Sequence, residues 1–245
     1  MSGRLRSGVP LVRARLRSVS WSYAGSVPPP PATELDLADT AIFLDFDGTI
    51  TTADVGMHLL ERTAPHDDWW ELHEQYERGE IGSRECIFDQ WALVEGSEAD
   101  LRRIAAEVEV DPGFVPLVHG LRAAGAEVTV VSDGFGFYVH DVCAPLGLPV
   151  LTNAVDFERH ELLFPHEDRC CACSSCGVCK QAPIKDARHQ GRTAVLIGDG
   201  ASDRKAALLA DVVFAKGPLA YWCRQYGVAC HRFDVLADVH EALLG

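Results

Sequence analysis

No apolar run in the 245-residue sequence approaches the roughly 20 residues that a membrane-spanning helix requires. The charged start followed by an apolar stretch that marks a secretory signal is also missing. These absences lead us to expect a cytoplasmic protein with no membrane partner. Positive charge is scarce, with 22 Lys and Arg against 36 Asp and Glu and a net charge of −14. Nucleic-acid affinity rests on clustered basic residues, so no nucleic-acid partner is expected. An even cysteine count is lacking too. Five of the nine cysteines crowd into residues 170–179, which fits a secreted disulfide framework poorly and reduced thiols or a metal site better.

Acidic residues are absent from the first 33 positions, which carry Arg4, Arg6, Arg13, Arg15 and Arg17 and end near the run Pro28 to Pro31. We read residues 1–38 as a disordered or targeting-like tail, with the disordered extension favoured over a transit peptide. Beyond it, short apolar runs recur at Ala41 to Leu44, Val128 to Val131, Ala194 to Ile197 and Val212 to Phe214. Helix-like stretches follow or precede them at 113–124, 202–209 and 218–226. This alternation predicts an α/β fold, a Rossmann-like parallel sheet covered on both faces. Residues 39–53 and 113–245 form that core. Residues 54–112 break the pattern with Trp69, Trp70, Tyr76 and Trp91, many acids and helical spacing, and we expect a small helical cap inserted over the strand ends. Its tryptophans serve either as its own core or as substrate contacts. His58, His66 and His73 are expected at the surface or in the cap.

Ligands of such sheets bind beyond the carboxyl ends of the strands, and three of the runs end in polar residues: Asp45 and Asp47, Ser132-Asp133-Gly134, and Gly198-Asp199-Gly200. Alternate residues of an extended strand face the same side, so Asp45 and Asp47 can aim at one point. Two carboxylates so close repel unless a cation joins them or one stays protonated. Both solutions serve phosphoryl transfer, in which one carboxylate attacks phosphorus and the other trades a proton with the leaving alcohol and with water. Asp199 can complete a hard-oxygen site for Mg²⁺. Gly48 lets backbone approach a phosphate, and Ser132 offers a hydroxyl and a backbone N–H. A cationic clamp is still needed, and Lys180 and Lys185 are the candidates.

The combination of Asp45-Phe46-Asp47-Gly48-Thr49, Ser132, a lysine and Gly198-Asp199-Gly200-Ala201-Ser202-Asp203 resembles the four motifs of haloacid dehalogenase superfamily phosphatases, in their order and approximate spacing over residues 40–245. The resemblance implies Asp45 as nucleophile and Asp47 as general acid/base. It implies Mg²⁺ held by Asp45, the Asp47 carbonyl and Asp199 with Asp203 in support, and a substrate phosphate on Ser132, Asp133, Gly134 and the lysine. The place of the insertion resembles the type 1 cap of the phosphoserine phosphatase group. Two departures stand against phosphoserine itself: Asp54 falls where that group has a cap-side glutamate, and Gln90 where it has an arginine for the substrate carboxylate.

The stretch Cys170-Cys171-Ala172-Cys173-Ser174-Ser175-Cys176-Gly177-Val178-Cys179-Lys180 is similar to the Cys-rich segment of another group in the superfamily, the 2-hydroxy-3-keto-5-methylthiopentenyl-1-phosphate phosphatases of methionine salvage. The DFDGTIT and PHEDRCC segments resemble that group as well, which favours Lys180 over Lys185. The second glycine of GDGASD and the N-terminal tail depart from it. Cys173, Cys176 and Cys179, with Cys170 or Cys171, could wrap a tetrahedral Zn²⁺, the alternative being reduced thiols; an iron–sulfur cluster lacks its fourth cysteine after Cys179. The expected function is therefore a Mg²⁺-dependent phosphomonoesterase acting on a small metabolite, best the methionine-salvage enol-phosphate, in a monomer or homodimer. The alternatives are phosphoserine or another small phosphomonoester, a phosphotransferase or mutase, and a metal- or thiol-binding protein.

Overall fold

The computed structural model describes residues 35–169 and 175–245, so the Arg-rich tail up to residue 34 and Cys170, Cys171 and Cys173 lie outside the described residues. The last part of the expected tail is packed: Leu35 and Leu37 rest on the core, and the Asp36 carboxylate accepts the Ala38 N–H at the start of a short 3-10 turn.

The chain runs β1 (Thr40–Leu44), α1 (Val55–Thr63), α2 (Asp68–Glu77), α3 (Ser83–Trp91), α4 (Glu98–Ala105), α5 (Phe114–Ala123), β2 (Glu127–Val131), α6 (Phe137–Cys143), β3 (Val150–Leu151), β4 (Ala154–Asp156), β5 (Glu161–Leu163), α7 (Gln181–His189), β6 (Thr193–Gly198), α8 (Arg204–Ala207), β7 (Val212–Ala215), α9 (Gly217–Tyr226), β8 (His231–Arg232) and α10 (Leu236–Leu244). Six strands form one parallel sheet in the order β3-β2-β1-β6-β7-β8, and β4 and β5 pair as a separate antiparallel hairpin. The continuous apolar runs are explained by this placement. All five residues of β1 are buried, with Ile42 and Leu44 in one core and Ala41 and Phe43 in the other, on opposite faces of the sheet. No helix among the described residues is long and apolar enough to cross a membrane.

Helices α1 to α4 all lie between β1 and β2. The chain leaves and returns through a narrow neck, where Thr52 N–H donates to Glu109 O at 2.9 Å and Asp111 N–H to Ile50 O at 2.8 Å. A single antiparallel bridge, Thr51 to Val110, is the strand-like element of this neck. Asp111 fixes its exit, accepting from Gly113 N–H at 2.8 Å and from Leu236 N–H at 3.0 Å. The tryptophans serve packing: Trp69 and Trp91 are buried, and Trp91 stacks on His160 and donates its indole N–H to the His160 carbonyl at 3.2 Å. Trp70 lies on the outside, against His73.

Candidate active site

Asp45 extends β1 by one more ladder bond, its N–H donating to Ile197 O at 2.9 Å. Phe46 is fully buried, and its carbonyl then accepts the N–H groups of Thr49, Ile50 and Thr51, which turns the chain away from the sheet. Asp45 and Asp47 on either side of Phe46 therefore both open onto a cavity of about 590 Å³. Gly48 sits at φ +75°, and a Cβ there would run into the Asp199 carboxylate, so this turn requires glycine twice over.

Of the two candidate lysines, Lys180 is the one that lies against Asp45. Its ammonium lies 2.5 Å from Asp45 Oδ1, 2.7 Å from Asp203 Oδ1 and 2.8 Å from Ser202 Oγ, which occupies all three donors. Lys185 is exposed on α7. Burial works against the Lys180 charge, but Asp203 and Asp45 outweigh it and hold its pKa above the usual lysine value. Burial, then the neighbouring Asp203, pushes the Asp45 carboxyl well above the ordinary range while Lys180 pulls it back. Burial first and Asp203 second raise Asp199 to about 6. Thr49 Oγ1 donates to Asp199 at 3.0 Å. The second Asp203 oxygen accepts the N–H groups of Asp199 and Gly200 at 3.1 and 3.2 Å, which makes it the brace of this corner.

Asp47 is only half-buried but lies in a less cationic environment, where Lys180 is a weaker influence than at Asp45. One of its oxygens accepts Val55 N–H at 3.0 Å, and the other faces the Ser132 hydroxyl at 3.3 Å and the Tyr138 hydroxyl at 3.2 Å. Burial, then the negative charge of Asp54, lifts its pKa to about 8. It is therefore a carboxyl kept protonated at neutral pH, beside a partner that is ion-paired. Tyr138 carried no motif signal in the sequence; only its place on the first turn of α6 reveals it.

The Ser132 N–H is spent in the sheet, donating to Leu151 O at 2.9 Å, so the expectation that it faces a ligand does not hold. Its side chain is fully buried behind the cavity lining, its hydroxyl accepting from Gly134 N–H at 3.1 Å while donating to Asp47. The Asp133 carboxylate accepts Val178 N–H at 2.7 Å, and the Asn153 amide donates to the carbonyls of Asp133 and Gly134 at 3.1 and 2.9 Å. Cys176 and Cys179 stand sulfur to sulfur, and that hydrogen bond, followed by burial, raises the Cys176 thiol. Among the described residues the one acidic or thiol cluster close enough to hold an ion is Asp45, Asp199 and Asp203, and it contains no cysteine.

The donor set fits a hard divalent cation. Asp45, Asp199 and Asp203 each offer an oxygen, all within 4.8 Å of one another, and burial first, then the charge of Asp203, raises the carboxyls of Asp45 and Asp199 despite Lys180. Helices α1 to α3 supply the other wall of the cavity, with Asp54, Met57, His73, Tyr76, Cys86, Ile87 and Gln90. Asp54 caps α1, accepting Met57 N–H at 2.8 Å. Gln90 is buried and donates to Trp69 O at 3.2 Å. His58 and His66 pair with Glu107 and Asp68 away from the cavity.

The family model of haloacid dehalogenase-like hydrolases matches residues 42–208. A protein of Brevibacillus brevis named 2-hydroxy-3-keto-5-methylthiopentenyl-1-phosphate phosphatase is 32% identical over 210 residues, covering 82% of this chain and 94% of its own. One of the same name from Exiguobacterium sp. is 29% identical over 212 residues, covering 84% and 98%. A substrate-bound phosphoserine phosphatase structure superimposes with a TM-score of 0.63 at 17% identity, covering 82% of this chain and 97% of that one.

Proposed function

The chain belongs to the haloacid dehalogenase-like hydrolase family, and from that premise we propose a Mg²⁺-dependent phosphomonoesterase acting on a small metabolite through an aspartyl-phosphate. The observation that carries this reading is the pairing of two unlike carboxyls at one strand end: Asp45 beside Lys180, and Asp47 raised to about 8. Asp45 attacks phosphorus as the bond to the substrate oxygen breaks, and the Asp47 proton passes to that oxygen. Asp47, now a carboxylate, takes a proton from water, whose oxygen attacks the phosphorus of the acyl-phosphate. Phosphate leaves and the Asp45 carboxylate is restored. Lys180 would exchange its bond to Ser202 for a non-bridging oxygen as substrate enters, and the Ser132 hydroxyl, now donating to Asp47, would turn to another. Asp45, the Asp47 carbonyl and Asp199, braced by Asp203, would hold Mg²⁺, which would supply positive charge to the transferring group. The helical insertion 54–112 acts as a cap that closes over a small substrate and excludes extended polymers.

For the substrate we favour the methionine-salvage enol-phosphate, 2-hydroxy-3-keto-5-methylthiopentenyl-1-phosphate, the compound in the names of the relatives. The cap wall supports it. Met57, Cys86 and Ile87 suit an apolar thioether tail, and the described cap residues lining the cavity include no arginine or lysine to receive an amino-acid carboxylate. Asp54 on that wall opposes such a carboxylate outright. Phosphate release from this compound, phosphoserine and other small phosphomonoesters, with Mg²⁺ and with EDTA, tests the reading. We expect release that needs Mg²⁺, prefers the enol-phosphate and vanishes in Asp45→Asn. Preference for phosphoserine refutes the substrate; a new phosphoester in place of free phosphate refutes hydrolysis.

A further inference from the structure

Three segments far apart in sequence meet at Asp133. Its Oδ1 accepts the N–H of Val178, two residues before Lys180, at 2.7 Å. The Ser83 hydroxyl, on the first residue of α3, stands against the same carboxyl. The fully buried Asn153 amide holds the carbonyls of Asp133 and Gly134 and lies 3.4 Å from Asp133 Oδ1. The fit is close: a Cβ at Gly177 would meet the Asp133 carboxylate, and one at Gly82 would meet Ser175 O, which also accepts Arg84 N–H at 3.1 Å. A negative charge beside a phosphate-holding serine repels the substrate's own charge, so direct phosphate binding by this carboxylate is electrostatically unfavourable. Its partners are instead backbone, hydroxyl and amide donors on three other segments.

Resting on the phosphatase reading above, we propose that Asp133 is a positioning residue that joins the cap helix α3 to the loop carrying Lys180, so that seating of the cap and placement of the lysine occur together. The carboxylate acts as a shared acceptor. With the cap seated, Ser83 and Val178 engage one group, and the lysine two residues on is held against Asp45. Loss of either arm loosens the other, because each donor orients the carboxylate that the other uses.

The test begins with the wild-type protein and Mg²⁺ on the enol-phosphate and on p-nitrophenyl phosphate. If it hydrolyses neither and no other small phosphomonoester, the phosphatase reading itself has failed. If it is active, Asp133→Ala should lower kcat/KM by about 10-fold to 100-fold, the loss expected for a charge-assisted hydrogen bond. Asp133→Asn keeps an acceptor oxygen in place and should recover most of that loss. Hydrogen exchange in Ser83→Ala gives the readout that a local packing role would not move: the Val178 amide should exchange faster although the substitution lies in the cap. Asp133→Asn as impaired as Asp133→Ala would assign the charge a direct role and overturn the proposal. So would unchanged Val178 exchange in Ser83→Ala, or wild-type kinetics in Asp133→Ala. Should Asp133→Ala fail to fold, the exchange experiment on Ser83→Ala and the activity of Asp133→Asn still decide.

Discussion

Replacing Lys180 with methionine keeps most of the side chain's volume and removes its charge, which isolates the electrostatic contribution of the clamp. In the folded protein this ammonium is almost fully buried and lies 2.5 and 2.7 Å from two carboxylates that are equally buried. Removing one partner of a buried ion pair costs about 3 to 5 kcal/mol, because the remaining charge stays in a poorly polarisable site. For a domain of this size each kcal/mol is worth about 2 to 4 °C, so Lys180→Met should melt about 6 to 20 °C below wild type. The loss depends on pH. Burial and Asp203 already raise Asp45 and only Lys180 restrains it, so the variant's Asp45 titrates higher still. The folded variant then binds a proton that the unfolded chain, with an ordinary carboxyl near 4, has released. Its stability is therefore retained below the unfolded value and falls as pH rises through the raised one. Thermal melts of both proteins at pH 5.5 and pH 8 in EDTA measure this directly. A deficit that is absent at pH 8, or larger at pH 5.5, would refute the ion-pair account.

On the proposed mechanism the protonated form of Asp47 supplies the leaving-group proton, so kcat should fall above about pH 8, where burial and Asp54 have placed its titration. A pH–rate profile of the wild type checks this, and Asp47→Asn, which cannot accept the proton from water, should lose about 10²-fold to 10⁴-fold in turnover and accumulate phosphoenzyme under acid quench. Gly48→Ala places a side chain at φ +75° against the Asp199 carboxylate, so it should cost at least about 1 kcal/mol in melts and weaken Mg²⁺ activation, seen as a higher metal concentration at half-maximal rate. Gln90→Arg adds a cation to a buried cap position, and it should raise the ratio of phosphoserine to enol-phosphate hydrolysis if that wall sets the substrate.

The sheet core was legible because its strands are buried on both faces. Ala41 to Leu44 or Val212 to Phe214 read as continuous apolar runs, and the structure makes them β1 and β7. The two-residue strands β3 and β8 carry no period to detect, and the hairpin β4–β5 alternates too briefly. The site was legible where chemistry is concentrated in short motifs, at Asp45, Asp47, Lys180 and Asp199. What escaped was long-range placement. Nothing near Ser132 announces that its N–H is consumed by Leu151, and nothing near residue 138 announces that a tyrosine hydroxyl will meet Asp47. The same holds for Asp133, whose partners lie 50 residues upstream and 45 downstream.

The strand that leads into Asp45 is first in sequence and central in the sheet, and its neighbours β2 and β6 begin at residues 127 and 193. A ribosome adding residues from the N-terminus thus exposes Ala41 to Leu44 long before the segments that cover it exist. Such distant pairing makes for slow folding and leaves an apolar strand open to wrong partners. It also makes catalysis the last property acquired. Until β6 docks and brings Asp199 beside Asp45, the carboxylate cluster proposed to hold the cation is incomplete, and a nascent chain is not expected to hydrolyse phosphoesters before that point.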